Sequence, residues 1–341
     1  MLQVRVHGPG DVRVDDVREP EPGPRDAVVR VAACGICGSD LSYIRLGGLA
    51  GPNGTPMCLG HEMAGVVDWI GREIRGVAVG DRVVVHPGDD EIGRIGNGGA
   101  EGGLTPLLLV REAARAGRLF RVPDAVDLEV AALAEPLAVG MRAVEQAEVA
   151  AGESVAVFGC GPIGLAAVAT LVDRGIDRVV AIDLCATRRD LALGLGAQAA
   201  LDPTAVDVWE ELACLHGTAP FMSGRTPATN AFIEASGASR VIPDVLNRGR
   251  VGGRLSIVAL HYAPIPTNYL LVLMKQFTIR GSMEYPARFE DAIDLLARRD
   301  LSSLVTHRYP LARFADALAT LAGSKECGKV MVVMGAAGTA S

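Results

Sequence analysis

Residues 157–164 read VFGCGPIG, and no other stretch limits the fold as tightly. The apolar run SVAVFG that leads into them reads as a buried strand. The run PIGLAAVATLVDRG that follows reads as a helix, with Pro162 in its first turn. Gly159 permits a tight turn between the two, and Gly164 lets helix and strand pack closely. Gly161 leaves the backbone bare where a pyrophosphate can approach a helix N-terminus. Pro162 and Ile163 complete the turn. A second apolar run, RVVAID, ends in Asp183, 24 residues after Gly159. Three glycines alone are a weak signal. Placed between strand and helix, with an acid at that distance, they predict a dinucleotide site.

Asp183 can accept hydrogen bonds from both hydroxyls of an adenosine ribose and would repel a 2'-phosphate. NAD is therefore expected rather than NADP. Capping the next helix is the structural alternative for this residue. Of the nearby arginines, Arg188 is expected on the adenine side and Arg189 in solvent.

Alternation of strand and helix continues through TRRDLALGLGA, NAFIEASG and GRLSIVAL. This order predicts a doubly wound parallel sheet spanning residues 148–280. Residues 1–147 differ. VRVDDV, AVVRVAACG, AGVVDWIG and DRVVVHP are short strands bounded by Gly, Pro and Asp. A helical pattern, LEVAALAEPLAVGMRAVEQA, begins near Leu128, and Pro136 either starts or kinks a turn. Residues 88–103 are glycine-rich, either a loop over a cleft or a surface excursion. The tail, 281–341, brings two amphipathic helices and a strand, KVMVVM, and is expected to rejoin the first domain. The fold class is a two-domain α/β protein.

Composition removes several functions. A net charge of −7 argues against nucleic acid as a partner. No run of about 18 apolar residues predicts a transmembrane helix. MLQVRVHGPGDVRV alternates as a first strand does and lacks the apolar core of a secretory signal. Seven cysteines, an odd number scattered along the chain, fit a reducing cytoplasm better than a disulfide framework.

The first domain carries a second constellation: Cys37 in GICGSD, His61 and Glu62 in LGHEMAG, and Glu135 in AEPLAVG. A thiolate, an imidazole and two carboxylates can hold one zinc and leave a position open. Cys34 and Cys37 spell CxxC, but no second pair accompanies them, so Cys34 reads as a small buried residue. Asp40 is placed to orient the His61 ring. Ser39 can hydrogen-bond a substrate oxygen and pass its proton outward. Glu135 sits in an apolar phrase, where a carboxylate is costly unless paired, metal-bound or capping a helix. Zinc and a nicotinamide in one chain point to alcohol–ketone redox chemistry.

In the order GICGSDLSY, LGHEMAGVV, GDRVVVHP, AEPLAVG, GCGPIG, EASG and RGSMEYPARFEDAI, the chain resembles the zinc-dependent medium-chain dehydrogenases. Within them it is most similar to the sorbitol, idonate and other polyol dehydrogenases. The resemblance covers nearly the whole chain. It implies a GroES-like β-rich catalytic domain, a Rossmann domain, and NAD-dependent interconversion of a secondary alcohol and its ketone. It implies Cys37 and His61 as zinc ligands, and Glu62 as acidic ligand or exchange partner. Glu135 falls where simpler alcohol dehydrogenases use cysteine. Ser39 corresponds to the proton-relay hydroxyl, and Tyr43 to a substrate-pocket tyrosine. The segment SIVAL, with Val258 and Leu260, is implied beside the nicotinamide.

Three departures from the family pattern carry expectations of their own. Residues 88–103 contain no cysteine, so one catalytic zinc and no structural zinc are expected. Ser42 stands where the family often has histidine. Glu284–Tyr285 replaces an Arg–Tyr pair, so Glu284 is expected to read a polar group of a polyol, sugar acid, cyclitol or amine-bearing substrate. A homotetramer, or a homodimer, is expected. Rival readings are a threonine-type dehydrogenase, a zinc-free quinone reductase-like enzyme, or a non-enzymatic protein that keeps only the fold.

Overall fold

The computed structural model describes residues 1–88, 93–115, 117–323 and 326–335. Positions 89–92 of the expected 88–103 loop, and 324–325 at the end of the last expected helix, lie outside the described residues. The chain divides into two compact units, Met1–Glu135 with Phe289–Ser341, and Pro136–Arg288. One boundary falls inside a helix, Ala134–Gln146, and the other just before the helix Glu290–Arg298.

The first unit is built around the strand Ala27–Gly35, an apolar run interrupted by one exposed arginine. It pairs antiparallel with Glu62–Ile70 on one side. On the other side it meets Lys329–Val333 and Leu107–Val110. Arg82–Val85 and Leu119–Arg121 extend the sheet beyond Glu62–Ile70. Val305–Pro310 closes the opposite end, parallel to Lys329–Val333. A smaller sheet joins Asp11–Asp16, Leu2–Gly8 and Met57–Cys58. One apolar core, including Val29, Val31, Met63, Val83, Leu108 and Val330, lies under these strands. The tail from Phe289 therefore contributes to the central sheet itself.

The second unit holds a six-stranded sheet in which every pairing is parallel. Across it run Ala199–Leu201, Arg178–Ile182, Ser154–Phe158, Ala231–Glu234, Arg254–Ile257 and Thr278–Gly281. In chain order this is third, second, first, fourth, fifth, sixth, the doubly wound arrangement of a nucleotide-binding sheet. Ser154–Phe158 is buried throughout, because helices cover both faces of such a sheet. Phe158, Trp209, Phe232 and Phe277 form a chain of ring contacts with centroids 6.0–6.1 Å apart. A hairpin, Thr218–Phe221 with Gly224–Pro227, was not foreshadowed by any sequence pattern. No helix among the described residues is long and apolar enough to cross a membrane.

Candidate metal centre and dinucleotide cradle

In the first unit, Cys37 immediately precedes the helix Gly38–Leu46. His61 immediately precedes the neighbouring strand and Glu62 opens it, directly opposite Gly35. The sulfur of Cys37, a ring nitrogen of His61 and a carboxylate oxygen of Glu62 all lie within 4.8 Å of one another. Bonds of about 2.0–2.3 Å to a tetrahedral zinc place its donors about 3.3–3.8 Å apart. The three atoms therefore need only small shifts to close on an ion. The carboxylate of Glu62 is fully buried, and its Oε1 has no hydrogen-bond partner. A buried carboxylate oxygen left unpaired is expensive unless a cation meets it. The donor set thus fits zinc.

Surrounding groups orient the donors. Asp40 is fully buried; its Oδ2 accepts a hydrogen bond from the Cys37 backbone N–H at 2.8 Å. Its Oδ1 faces His61 Nδ1 at 3.6 Å, which leaves Nε2 as the ring nitrogen free to ligate. The same Nε2 lies 3.5 Å from Ser39 Oγ. Tyr43, one turn along the helix, interacts with the Ser39 hydroxyl, and burial pushes its phenol pKa up. Burial is the largest influence on His61 and would lower its pKa, yet Asp40, Cys37 and Glu135 together raise it well above the ordinary value. Burial has the opposite sign at Asp40 and raises its carboxyl pKa. This negative field around an imidazole is the field that attracts a dication.

Glu135 stands outside the group of converging donor atoms, although it is buried and acts electrostatically on both His61 and Lys329. It occupies the first turn of Ala134–Gln146, where a carboxylate also complements the helix dipole. Among the described residues no other group of Cys, His, Asp and Glu donors converges.

One member of this centre escaped the sequence reading. Lys329 is buried and ion-paired to Glu62 Oε2. Burial is the strongest influence on its ammonium, but Glu62, Cys37 and Glu135 outweigh it and raise the pKa. Gly35 makes room for the pair. A Cβ there would lie 2.0 Å from Glu62 Oε2 and 2.5 Å from Lys329 Cε. The one available signal was a lysine at the head of the apolar run KVMVV.

The described part of 93–103 is not a free excursion. Gly103 N–H donates to the carbonyl of Gly60, the residue before His61, at 2.7 Å, and Gly96 N–H donates to Glu101 at 2.7 Å.

In the second unit, Gly159 has φ +90°, and a Cβ there would strike Ser236 at 2.6 Å. A Cβ on Gly164 would lie 1.7 Å from the Gly159 carbonyl oxygen. A Cβ on Gly161 would meet nothing within 4 Å. Two glycines therefore serve packing, and the third borders the open space a pyrophosphate requires. This geometry fits a dinucleotide. Asp183 Oδ2 accepts from the Cys160 N–H at 2.6 Å and Oδ1 from the Cys185 N–H at 2.8 Å. Each oxygen keeps a further lone pair for a ribose hydroxyl. Arg189 is tied to Asp202 at 3.1 Å and to the Asp183 carbonyl at 2.8 Å, so it does not simply face solvent. Val258 and Leu260 lie just past the carboxyl end of Arg254–Ile257, because the strand stops three residues before the end of SIVAL. Glu284 is exposed, with left-handed backbone at φ +60°, and Tyr285 is half-buried.

Known proteins match both units. Residues 23–123 match the family model "Alcohol dehydrogenase GroES-like domain", and residues 162–298 match "Zinc-binding dehydrogenase". Human sorbitol dehydrogenase is 33% identical over 338 residues, covering 94% of this chain and 92% of that protein. The structure of 2R,3R-butanediol dehydrogenase from Bacillus subtilis superposes with a TM-score of 0.84 at 29% identity, over 97% of this chain and 99% of that one. A Sinorhizobium meliloti protein bound to NADP superposes with a TM-score of 0.85 at 28% identity, over 97% and 98%.

Proposed function

The chain belongs to the zinc-binding medium-chain dehydrogenase/reductase family, and on that premise we propose that it oxidises a polyol, sugar acid or cyclitol to the ketone, with NAD as acceptor, and runs the reverse. It is a zinc-binding oxidoreductase of nicotinamide chemistry acting between a secondary alcohol and a ketone. The observation that carries this reading is the buried trio Cys37, His61 and Glu62, with Glu62 Oε1 unpartnered. Human sorbitol dehydrogenase and Bacillus butanediol dehydrogenase, by their names, act on alcohols with vicinal hydroxyls. That supports the polyol class.

Cys37 and His61 would hold one zinc, with Glu62 as third ligand or exchange partner and Glu135 nearby. Zinc, when bound, polarises the substrate oxygen and lowers its hydroxyl pKa. NAD, held by the glycine turn, would supply the hydride acceptor for the carbinol carbon. Ser39, beside the ligating nitrogen of His61, takes the hydroxyl proton and releases its own outward. Ser42 offers no imidazole to continue that path, so the proton leaves toward solvent. Asp40 holds the His61 ring in one orientation throughout. Tyr43 flanks Ser39, and Tyr285 and Glu284 are assigned to substrate recognition.

Gly159, Gly161, Pro162, Ile163 and Gly164 cradle the pyrophosphate. Asp183 selects NAD over NADP through its negative charge at the ribose. The NADP-bound neighbour keeps that choice a matter for measurement. Arg188 is assigned to the adenine side, and Val258 and Leu260 to the nicotinamide side.

A homo-oligomer fits the second unit. Leu260, Tyr262, Tyr269, Leu270, Leu273 and Met283 are 54–74% exposed, and all fall within residues 260–283, which include the sheet's edge strand Thr278–Gly281. That much exposed apolar area suits a second copy of the chain. All seven cysteines are free thiols, which suits the cytoplasm.

The test is an NAD- and NADP-reduction screen over linear polyols, sugar acids, cyclitols, amino-cyclitols, threonine and simple secondary alcohols, with elemental analysis on the same protein. One zinc per chain and highest kcat/KM on a polyhydroxy substrate with NAD is the expected result. Preference for threonine, or activity without zinc, would overturn the assignment.

A further inference from the structure

The winding of the six-stranded sheet reverses between Ser154–Phe158 and Ala231–Glu234. A dinucleotide lies across such a crevice, outside the carboxyl ends of the strands. With the adenosine ribose at Asp183, its nicotinamide half falls over the ends of Ala231–Glu234 and Arg254–Ile257.

At those ends sits a buried charge that the reaction itself does not use. Glu234 closes the apolar strand Ala231–Glu234 and is fully buried. Its Oε1 accepts from the Ser236 N–H at 2.9 Å, the Ser236 hydroxyl at 2.6 Å and the Gly237 N–H at 2.9 Å. Its Oε2 meets His261 Nε2 at 2.8 Å. Its backbone carbonyl accepts from Val258 and Ala259 at 3.0 and 3.1 Å.

These partners define what Glu234 builds. Ser236 is the residue that a Cβ on Gly159 would strike, so the turn held by Oε1 packs directly against the first glycine of the dinucleotide turn. A Cβ on Gly237 would come within 3.9 Å of Ala259 and Leu260, so the same turn borders the nicotinamide segment. That segment, 258–268, has neither helix nor strand to fix it. The hydrogen bond from His261 to Oε2 ties it by a side chain to the end of the sheet. An apolar residue would end this strand at lower desolvation cost. The carboxylate earns its place by ordering two loops at once.

We propose that Glu234 and His261 are positioning residues for the cofactor. Glu234 shapes the Ser236–Gly237 turn beside Gly159, and through His261 it holds Val258–Leu260 in place for the nicotinamide. The inference rests on the dinucleotide reading above. Glu234 thereby serves both halves of the cofactor, and His261 the nicotinamide half alone.

Binding of NADH, followed by its fluorescence, and of ADP-ribose, followed by calorimetry, tests this on the intact zinc-loaded protein. Losing one hydrogen bond to a carboxylate predicts that His261→Ala weakens NADH by about tenfold. ADP-ribose, which lacks the nicotinamide, should keep its affinity. His261→Gln can donate to Oε2 and should recover most of the loss. Glu234→Ala should weaken both ligands, with zinc content unchanged. Equal weakening of NADH and ADP-ribose by His261→Ala, no weakening of either, or failure of His261→Gln to recover would each overturn the proposal. Wild-type protein that binds neither ligand would instead remove the dinucleotide reading itself.

Discussion

The two units prepare for charged visitors in opposite ways. In the first, charge is buried ahead of the ligand. Cys37, Asp40, His61, Glu62, Glu135 and Lys329 crowd together, and Asp40 Oδ1, His61 Nδ1 and Glu62 Oε1 lack hydrogen-bond partners. In the second, the carboxylates of Asp183 and Glu234 are already bonded to backbone N–H groups, and the opening for a ligand is an absence of atoms at Gly161. A site made of unsatisfied charge is incomplete until a cation arrives. A site made of backbone shape is complete beforehand. The lesson is that substitution should uncouple the two.

Ligand removal gives the largest effect. Cys37→Ser or His61→Ala should lower turnover by several orders of magnitude and strip zinc, while NADH affinity stays near wild type. Normal zinc and rate in Cys37→Ser would break the comparison at its first term. The converse change is Gly164→Ala, whose methyl would press on the Gly159 carbonyl. It should abolish tight NADH binding and leave zinc content intact, measured by titration and elemental analysis.

Stability sharpens the contrast. Lys329→Met removes the ammonium that faces Glu62 in a fully buried pair, a change that typically costs about 3–5 kcal/mol. Zinc would supply the missing positive charge. The loss, read from denaturant melts, should therefore be clearly smaller with zinc than after chelation. Equal losses in both states would mean that Glu62 does not address the metal.

Two smaller effects concern selectivity. Asp183→Ser should lower the NAD-over-NADP preference by about tenfold, the scale of one charged hydrogen bond. Unchanged selectivity would show that Asp183 is occupied only by Cys160 and Cys185. Glu284→Gln should raise KM severalfold for the polyhydroxy or amine-bearing substrate and leave a plain secondary alcohol untouched. Because Glu284 is exposed, the effect should be modest, and a uniform change across substrates would remove it from recognition.

The same contrast governs what the sequence discloses. Cys37, His61 and Glu62 were legible because each donor sits in a short phrase whose residue types already suit a soft cation. The fingerprint was legible because Gly159, Gly161 and Gly164 have distinct steric duties at fixed spacing. Lys329 was not, since it enters 267 residues after Glu62 and a lone lysine before an apolar strand reads as surface. The end of SIVAL was misplaced because the N–H groups of Val258 and Ala259 turn to Glu234, a partner only the sheet reveals. The hairpin at 218–227 was hidden by a proline in one strand and a proline and glycine in the other, residues that ordinarily mark a loop.

Lys329 also has a meaning in time. The second unit is continuous in the chain, so all of its strands have been synthesised by residue 288. The first unit is begun before it and finished after it. Until Lys329–Val333 emerges, one side of Ala27–Gly35 lacks its partner at residues 33–35, and Glu62 lacks its counter-ion. During synthesis, at some 5–20 residues per second, the nucleotide unit has several seconds in which it can fold first. The metal unit is left waiting for its last strand, and with it for the lysine that neutralises Glu62.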